Sequence, residues 1–356
     1  MKTSRKIIII AVVVVVVILA VFAYEATLGP GPSPWAQAAN YPLQLAGSYA
    51  VAGQQCFNST SYIYCIGGQD AASGPRSNVF SASVSLAPSH NITGWVSDHN
   101  SYPQNMDGGS CVAYAGYVYC VGGSYDSAPD DTASSYYAPI EANGTIGTWT
   151  STTPYPIPID TQYCAAYSAR IYCVAGVNET DGTSSDAAPS NSVWYASLSS
   201  SGIGAWGQST AYPSNVYYPS CFSYGGYIYC LGGADSNDNS VSADYYAALT
   251  PTGVGSWTST TAYPISMSGQ ACAFSSGYIY CVGGQTGDNP ASYSYAVYYA
   301  PVSSAGIGSW KQSGPYPISV GTTCVISSGY MYCVGGFESS QNVESTYYIA
   351  LTTLTS

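Results

Sequence analysis

Twelve cysteines are the residues of this chain best equipped to do chemistry. They form six pairs, Cys56/Cys65, Cys111/Cys120, Cys164/Cys173, Cys221/Cys230, Cys272/Cys281 and Cys324/Cys333, each with eight residues between its members and none left over. A metal site wants closer cysteines joined by histidines, and only His90 and His99 occur. Disulfides are therefore expected. Residues Cys111 to Cys120 read CVAYAGYVYC, a strand, an Ala115-Gly116 turn and a strand, and Gly226, Gly277 and Gly329 repeat the turn glycine. Glycine at the second turn position suits a type I′ hairpin. In that register residues 111 and 120 face each other in a non-hydrogen-bonded pair, with α-carbons about 4.5 Å apart, close enough for a bridge.

The acids offer a second chemistry. Asp235, Asn237 and Asn239 resemble the opening of a calcium loop, but position 240 is Ser and position 246 is Tyr, where such a loop needs Gly and a bidentate Glu. They stand as weak calcium candidates beside the ordinary role of Asp and Asn in turns, and no other cofactor is implied. A carboxylate pair could hydrolyse a glycoside, yet no spacing singles one out. No Ser/His/Asp set can be assembled either. Asn58, Asn91, Asn143 and Asn178 lie in Asn-X-Ser/Thr triplets and are candidate glycosylation sites.

The elements that must position these groups are repeats. The first cysteines recur every 51 to 57 residues, too short for an immunoglobulin-like domain and close to a propeller blade of about 50. Each second cysteine is followed by Gly-Gly, from Gly67-Gly68 to Gly335-Gly336, with Ala175-Gly176 departing once. An aromatic pair follows, as in Tyr136-Tyr137 and Tyr298-Tyr299, with Phe80 in the first repeat; then comes Trp95, Trp149, Trp206, Trp257 or Trp310, and a Tyr-Pro pair. The double glycine, the third-strand aromatic and the fourth-strand Trp resemble kelch repeats over residues 35–356. The resemblance implies an all-β, six-bladed propeller. It departs from the family in the longer interval between Tyr299 and Trp310, which lengthens the third-to-fourth-strand hairpin. Kelch-like propellers include copper oxidases that use two histidines, and another six-bladed class, the sialidases, uses an arginine triad. Here both histidines fall in one repeat, and only Arg76 and Arg170 lie beyond the N-terminal segment.

The last repeat lacks its Trp strand, while Trp35 with Tyr41-Pro42 is a Trp strand without a repeat. The segment around Trp35 should therefore pair as outermost strand with residues 324–353 and close the ring, removing its open edge. Upstream, residues 1–6 hold Lys2, Arg5 and Lys6, residues 7–23 are an unbroken apolar run, and residues 24–34 form a Pro/Gly linker. The run is read as a single-pass anchor with its basic tail inside; the alternative is a signal segment whose cleavage secretes the propeller. Paired cysteines behind an export segment fit an oxidising exterior.

All 18 acids lie beyond the apolar run, against three bases, which argues against nucleic acid as partner. Strand alternation puts the second-to-third-strand loops and the connections into each new repeat on one face, away from the anchor. Asp126, Asp130, Asp131, Asp181, Asp235 and Asp238 mark this candidate binding face, with Asp98, Asp107 and Asp160 in the connections. Binding residues concentrate on loops held by a rigid scaffold. The reading is a surface-exposed binding or adhesion module for a protein or glycan. The alternatives are a structural envelope protein without a specific ligand and, behind it, a carbohydrate-active enzyme. Exposed aromatics beside acids at the outer channel mouth would favour a glycan; a uniformly polar face would favour the structural role.

Overall fold

The computed structural model describes residues 33–42, 51–70, 74–85, 89–125, 131–178, 188–287, 292–338 and 341–355. The tail, the apolar run and most of the linker lie outside them. No described helix is long and apolar enough to cross a membrane.

Six antiparallel sheets of the same plan form the six blades. Blade two shows the plan: Ser110–Tyr114, Tyr117–Val121, Ser135–Pro139 and Thr150–Ser151, in chain order from the channel outward. Tyr114 faces Tyr117 and Cys111 faces Cys120, with Ala115 and Gly116 both at positive φ, as a type I′ turn requires. All six disulfides are present, joining Cys56 to Cys65, Cys111 to Cys120, Cys164 to Cys173, Cys221 to Cys230, Cys272 to Cys281 and Cys324 to Cys333. Their α-carbons are 4.1 Å apart in blade two and 4.0 Å in blade three, slightly closer than the register alone suggests.

The core is six separate clusters, one in each gap between neighbouring blades. Each gap is sealed at its rim by the same pair. The Trp of one blade meets the Tyr-Pro tyrosine of the blade before it edge-on: Trp95 on Tyr41, Trp149 on Tyr102, Trp206 on Tyr155, Trp257 on Tyr212 and Trp310 on Tyr263, with centroids 4.8 to 5.0 Å apart. Edge-to-face geometry at this distance adds to the burial of both rings. Each of these indoles also donates Nε1–H to the carbonyl two residues before its tyrosine, as Trp149 does to Asn100 at 3.2 Å.

The long hairpin between third and fourth strands has a purpose in packing. Its apolar residue, such as Ile203 or Ile307, is buried in the gap. The backbone N–H of that residue is taken by a side chain of the preceding blade: Ile203 by Thr152 Oγ1 at 2.7 Å, Ile307 by Thr260 Oγ1 at 2.6 Å and Ile146 by Asp98 Oδ2 at 2.5 Å. Asp98 thus belongs to this set. It is 8% exposed and leaves the acidic face to which the sequence assigned it.

The ring closes as expected. Ala36–Gln37 pairs with the third strand of blade six, Ala36 opposite Tyr348 and Gln37 opposite Tyr347. Trp35 meets Tyr316 edge-on at 4.9 Å. In the aromatic pairs of the third strands neither member is exposed. In blade two Tyr136 meets Tyr102 of the preceding blade and Tyr137 stacks on Tyr119 of its own.

Replacing Trp35 by Ala empties the closing joint. The expected loss of unfolding free energy is about 3–5 kcal/mol, measured by urea denaturation of the full chain. A loss below about 1 kcal/mol would show that closure does not depend on this contact.

Candidate functional site at the channel mouth

A cavity of about 440 Å³ lies on the channel axis, lined by residues of all six blades. Its wall is formed by the starts of the inner strands, with Gln69, Gln285, Tyr293 and Phe337 contributed from the second-to-third-strand side. It therefore opens on the acidic face.

The cysteines divide by strand. On the inner strands Cys56, Cys111, Cys164, Cys272 and Cys324 line the cavity. On the second strands Cys65, Cys120, Cys173, Cys230, Cys281 and Cys333 do not line it; each is 0% exposed and sits in a different one of the six interblade clusters. Cys221 is buried with Cys230 and is likewise absent from the wall. The six pairs are those the spacing predicts. All twelve are oxidised, with no free thiol among the described residues, so they brace the wall, and the chemistry of the mouth belongs to other side chains.

The lip is set by the residue three places before each first cysteine. In five blades this residue is left-handed: Gly53, Gly108, Thr161, Tyr218 and Gly269, with φ between 50° and 73°. Glycine adopts this region freely, whereas other L-residues are disfavoured there by about 1–2 kcal/mol. Backbone bonds run from one to the next, from Thr161 N to Gly108 O at 2.8 Å, from Tyr218 N to Thr161 O at 3.1 Å and from Gly269 N to Tyr218 O at 3.1 Å. The collar would hold with glycine at every place. Blades three and four instead put a Thr and a Tyr there, and both line the cavity.

One place earlier stand Asp107 and Asp160. The Asp107 carboxylate occupies the space a β-carbon on Gly53 would need, and Asp160 lies beside Gly108. Burial pushes the Asp107 carboxyl up to about 6, opposed by the N–H of Gly108. Tyr218 is 44% exposed because the channel before its ring is open. The protein crowded about the mouth, then Asp107 and Asp160, hold its phenol well above the ordinary value. It remains a neutral hydrogen-bond donor. Its ring lies 5.5 Å from that of Tyr217, whose hydroxyl donates to Asp238.

Deeper on the wall, Gln54, Gln162 and Gln270 stand two places before the first cysteines of blades one, three and five, 3–4% exposed. Each amide Nε2 donates to a carbonyl of the preceding blade: Val334 at 2.9 Å, Val121 at 2.8 Å and Leu231 at 3.3 Å. Each Oε1 is buried without a partner, as is Thr161 Oγ1. Among the described residues no Lys, Arg or His lines the cavity.

The acids singled out from sequence divide as well. Asp126, Asp130 and Asp181 lie outside the described residues. Asp131 is partly buried, in a backbone bridge with Ser124. Asp235 accepts bonds from the backbone N–H groups of Asn237 and Asn239 and from Asn239 Nδ2. These bonds, that of Asn237 foremost, lower its pKa, so its lone pairs serve the turn. Among the described residues no three His, Cys, Asp or Glu side chains converge to hold a metal ion. Asn58 and Asn143 are exposed, while Asn91 and Asn178 are partly buried. His90 stacks on Tyr330 at 4.2 Å, and neither histidine lines the cavity.

Tyr218, Thr161 and the three glutamines escaped the sequence reading. The signal was present. Four repeats carry Gly at the collar position, and Thr161 and Tyr218 break the run.

No family model matches the chain, and no curated protein does. Among solved structures it is similar to one titled "Structure of YjhT", with 12% identity, a TM-score of 0.68, and coverage of 87% of this chain and 95% of that one. That likeness concerns the fold, a six-bladed propeller.

Two outcomes follow for stability. Thr161→Gly removes both a strained β-branched residue and a buried unpartnered hydroxyl, and should raise unfolding free energy by about 1 kcal/mol; an unchanged or lower value would show that the collar is not strained there. Asp107 keeps, between its ordinary 3.8 and about 6, a proton that the unfolded chain has lost. Its stabilising contribution is therefore full at acid pH and lost as pH rises through about 6. Asp107→Asn should reduce the fall in melting temperature from acid to neutral pH, and an unaltered pH profile would contradict this assignment.

Proposed function

We propose that this chain is a surface-exposed propeller, held at the membrane through residues 7–23, that binds a protein or glycan through its acidic loop face, with the channel mouth as the contact point. The observation that carries the reading is Tyr218. A bulky aromatic sits at a glycine position, strained and open to the channel, beside Asp107. Strain of this kind persists where surrounding structure enforces it, and it gathers at ligand sites. Six disulfides suit an oxidising exterior. The mixture of Tyr218, Tyr293 and Phe337 with carboxylates favours a binding role over a purely structural one, whose outer face would be uniformly polar. No histidine or arginine lines the cavity among the described residues, which gives the alternative of a carbohydrate-active enzyme less support than a binding role.

The test uses the full chain in detergent micelles on arrays of glycans and of extracellular proteins. Tyr218→Gly should abolish the binding seen with the parent while leaving the melting temperature equal or higher. Tyr167→Gly, on the hairpin face at the far end of the channel, should leave binding intact. Binding that survives Tyr218→Gly but fails with Tyr167→Gly would move the contact surface to the other face.

A further inference from the structure

We infer that the axial cavity takes one pyranose ring of a non-acidic sugar, neutral or amine-bearing, stacked against Tyr218 with its hydroxyls or ammonium directed to Asp107 and the polar wall. The inference rests on the binding role proposed for this face and names its ligand.

Size is the first constraint. About 440 Å³ falls in the lower part of the range of about 300–1,000 Å³ that small-molecule sites occupy. A folded protein segment does not enter such a space, whereas a terminal sugar does.

The chemistry of the wall is the second. An exposed tyrosine offers an apolar face with a polar tip, which suits a pyranose: its C–H face is apolar and its rim carries hydroxyls. Tyr293 and Phe337, 5.5 Å apart, extend the aromatic side of the lining. Opposite in character are the acceptors. Asp107 brings a carboxylate, and Gln54, Gln162 and Gln270 are lining residues whose buried amide oxygens have no partner. A buried acceptor without a donor costs about 1–3 kcal/mol. Three of them at equivalent places, with their Nε2 groups already committed to neighbouring carbonyls, make a wall short of donors. A polyhydroxylated or ammonium-bearing ligand brings them.

Charge is the third. With Asp107 and Asp160 at the lip and no cationic side chain in the described lining, the carboxylate of a uronic acid would meet like charge and find no counter-ion. Removing a solvated charge into such a place is unfavourable. Discrimination between sugars should therefore follow charge more than hydroxyl stereochemistry.

The experiment is titration calorimetry with saturation-transfer NMR on the full chain in detergent micelles at pH 7.5, using galactose, glucosamine, glucuronic acid and putrescine as probes. Galactose and glucosamine should bind, and glucuronic acid should bind about tenfold more weakly or not at all. Tyr218→Gly should weaken the two binders by about tenfold with the fold intact by circular dichroism. Asp107→Asn should narrow the gap between glucosamine and glucuronic acid. Glucuronic acid binding as well as galactose, or sugar affinity unchanged by Tyr218→Gly, would overturn the inference. Putrescine binding more tightly than every sugar would make the cavity a site for small cations and overturn it as well. If no sugar binds but a protein partner is lost with Tyr218→Gly, the ligand is wrong and the binding face stands; if nothing binds at the mouth, both fall.

Discussion

The edge-on contact between the Trp of one blade and the buried tyrosine of the blade before it is the interaction on which the ring depends. A blade is a small sheet with two faces to bury, and only a neighbour on each side can bury them. Six clusters therefore lie in six gaps, with no common centre. The indole fixes both the spacing and the tilt of adjacent blades, because its edge contact and its Nε1 bond to the carbonyl near the same tyrosine cannot both be kept if a blade rotates. At the closing joint the aromatic contact survives, but Trp35 Nε1 has no partner. Among the described residues, the seam is the one joint of the six that lacks this bond.

Rigidity of the rim makes the mouth possible. Left-handed Thr161 and Tyr218 would relax if the inner strands could shift. They cannot, because the inner strand of each blade is bridged to the second, as Cys164 is to Cys173 and Cys221 to Cys230, and the collar residues are tied to one another through Gly108, Thr161, Tyr218 and Gly269. The disulfides stabilise folding and also hold strained residues at the channel opening.

Much of the fold was legible because its determinants are local. Cysteine spacing and turn glycines define each hairpin register, and an orphan Trp strand at one end with a missing one at the other defines the closure. The site was less legible, because its determinants lie across blades. Asp98 and Asp107 occupy the same connecting segment, yet one is committed to the N–H of Ile146 and the other stands at the lip. Only the position of the neighbouring blade separates them. The third-strand tyrosines invite reading as exposed handles, but the adjacent blade covers one member and the same blade stacks on the other.

Gln54, Gln162 and Gln270 occur in alternate blades, and their counterparts in the blades between are Gly109, Pro219 and Thr322. A ring that looks sixfold is thus threefold in its inner joints, three pinned by an amide and three without one. Such alternation is what tandem duplication of a two-blade unit would leave behind. It also means that the six joints of the channel wall are not equivalent, three carrying an amide pin and three crossed without one by backbone bonds such as Gly176 N to Val216 O.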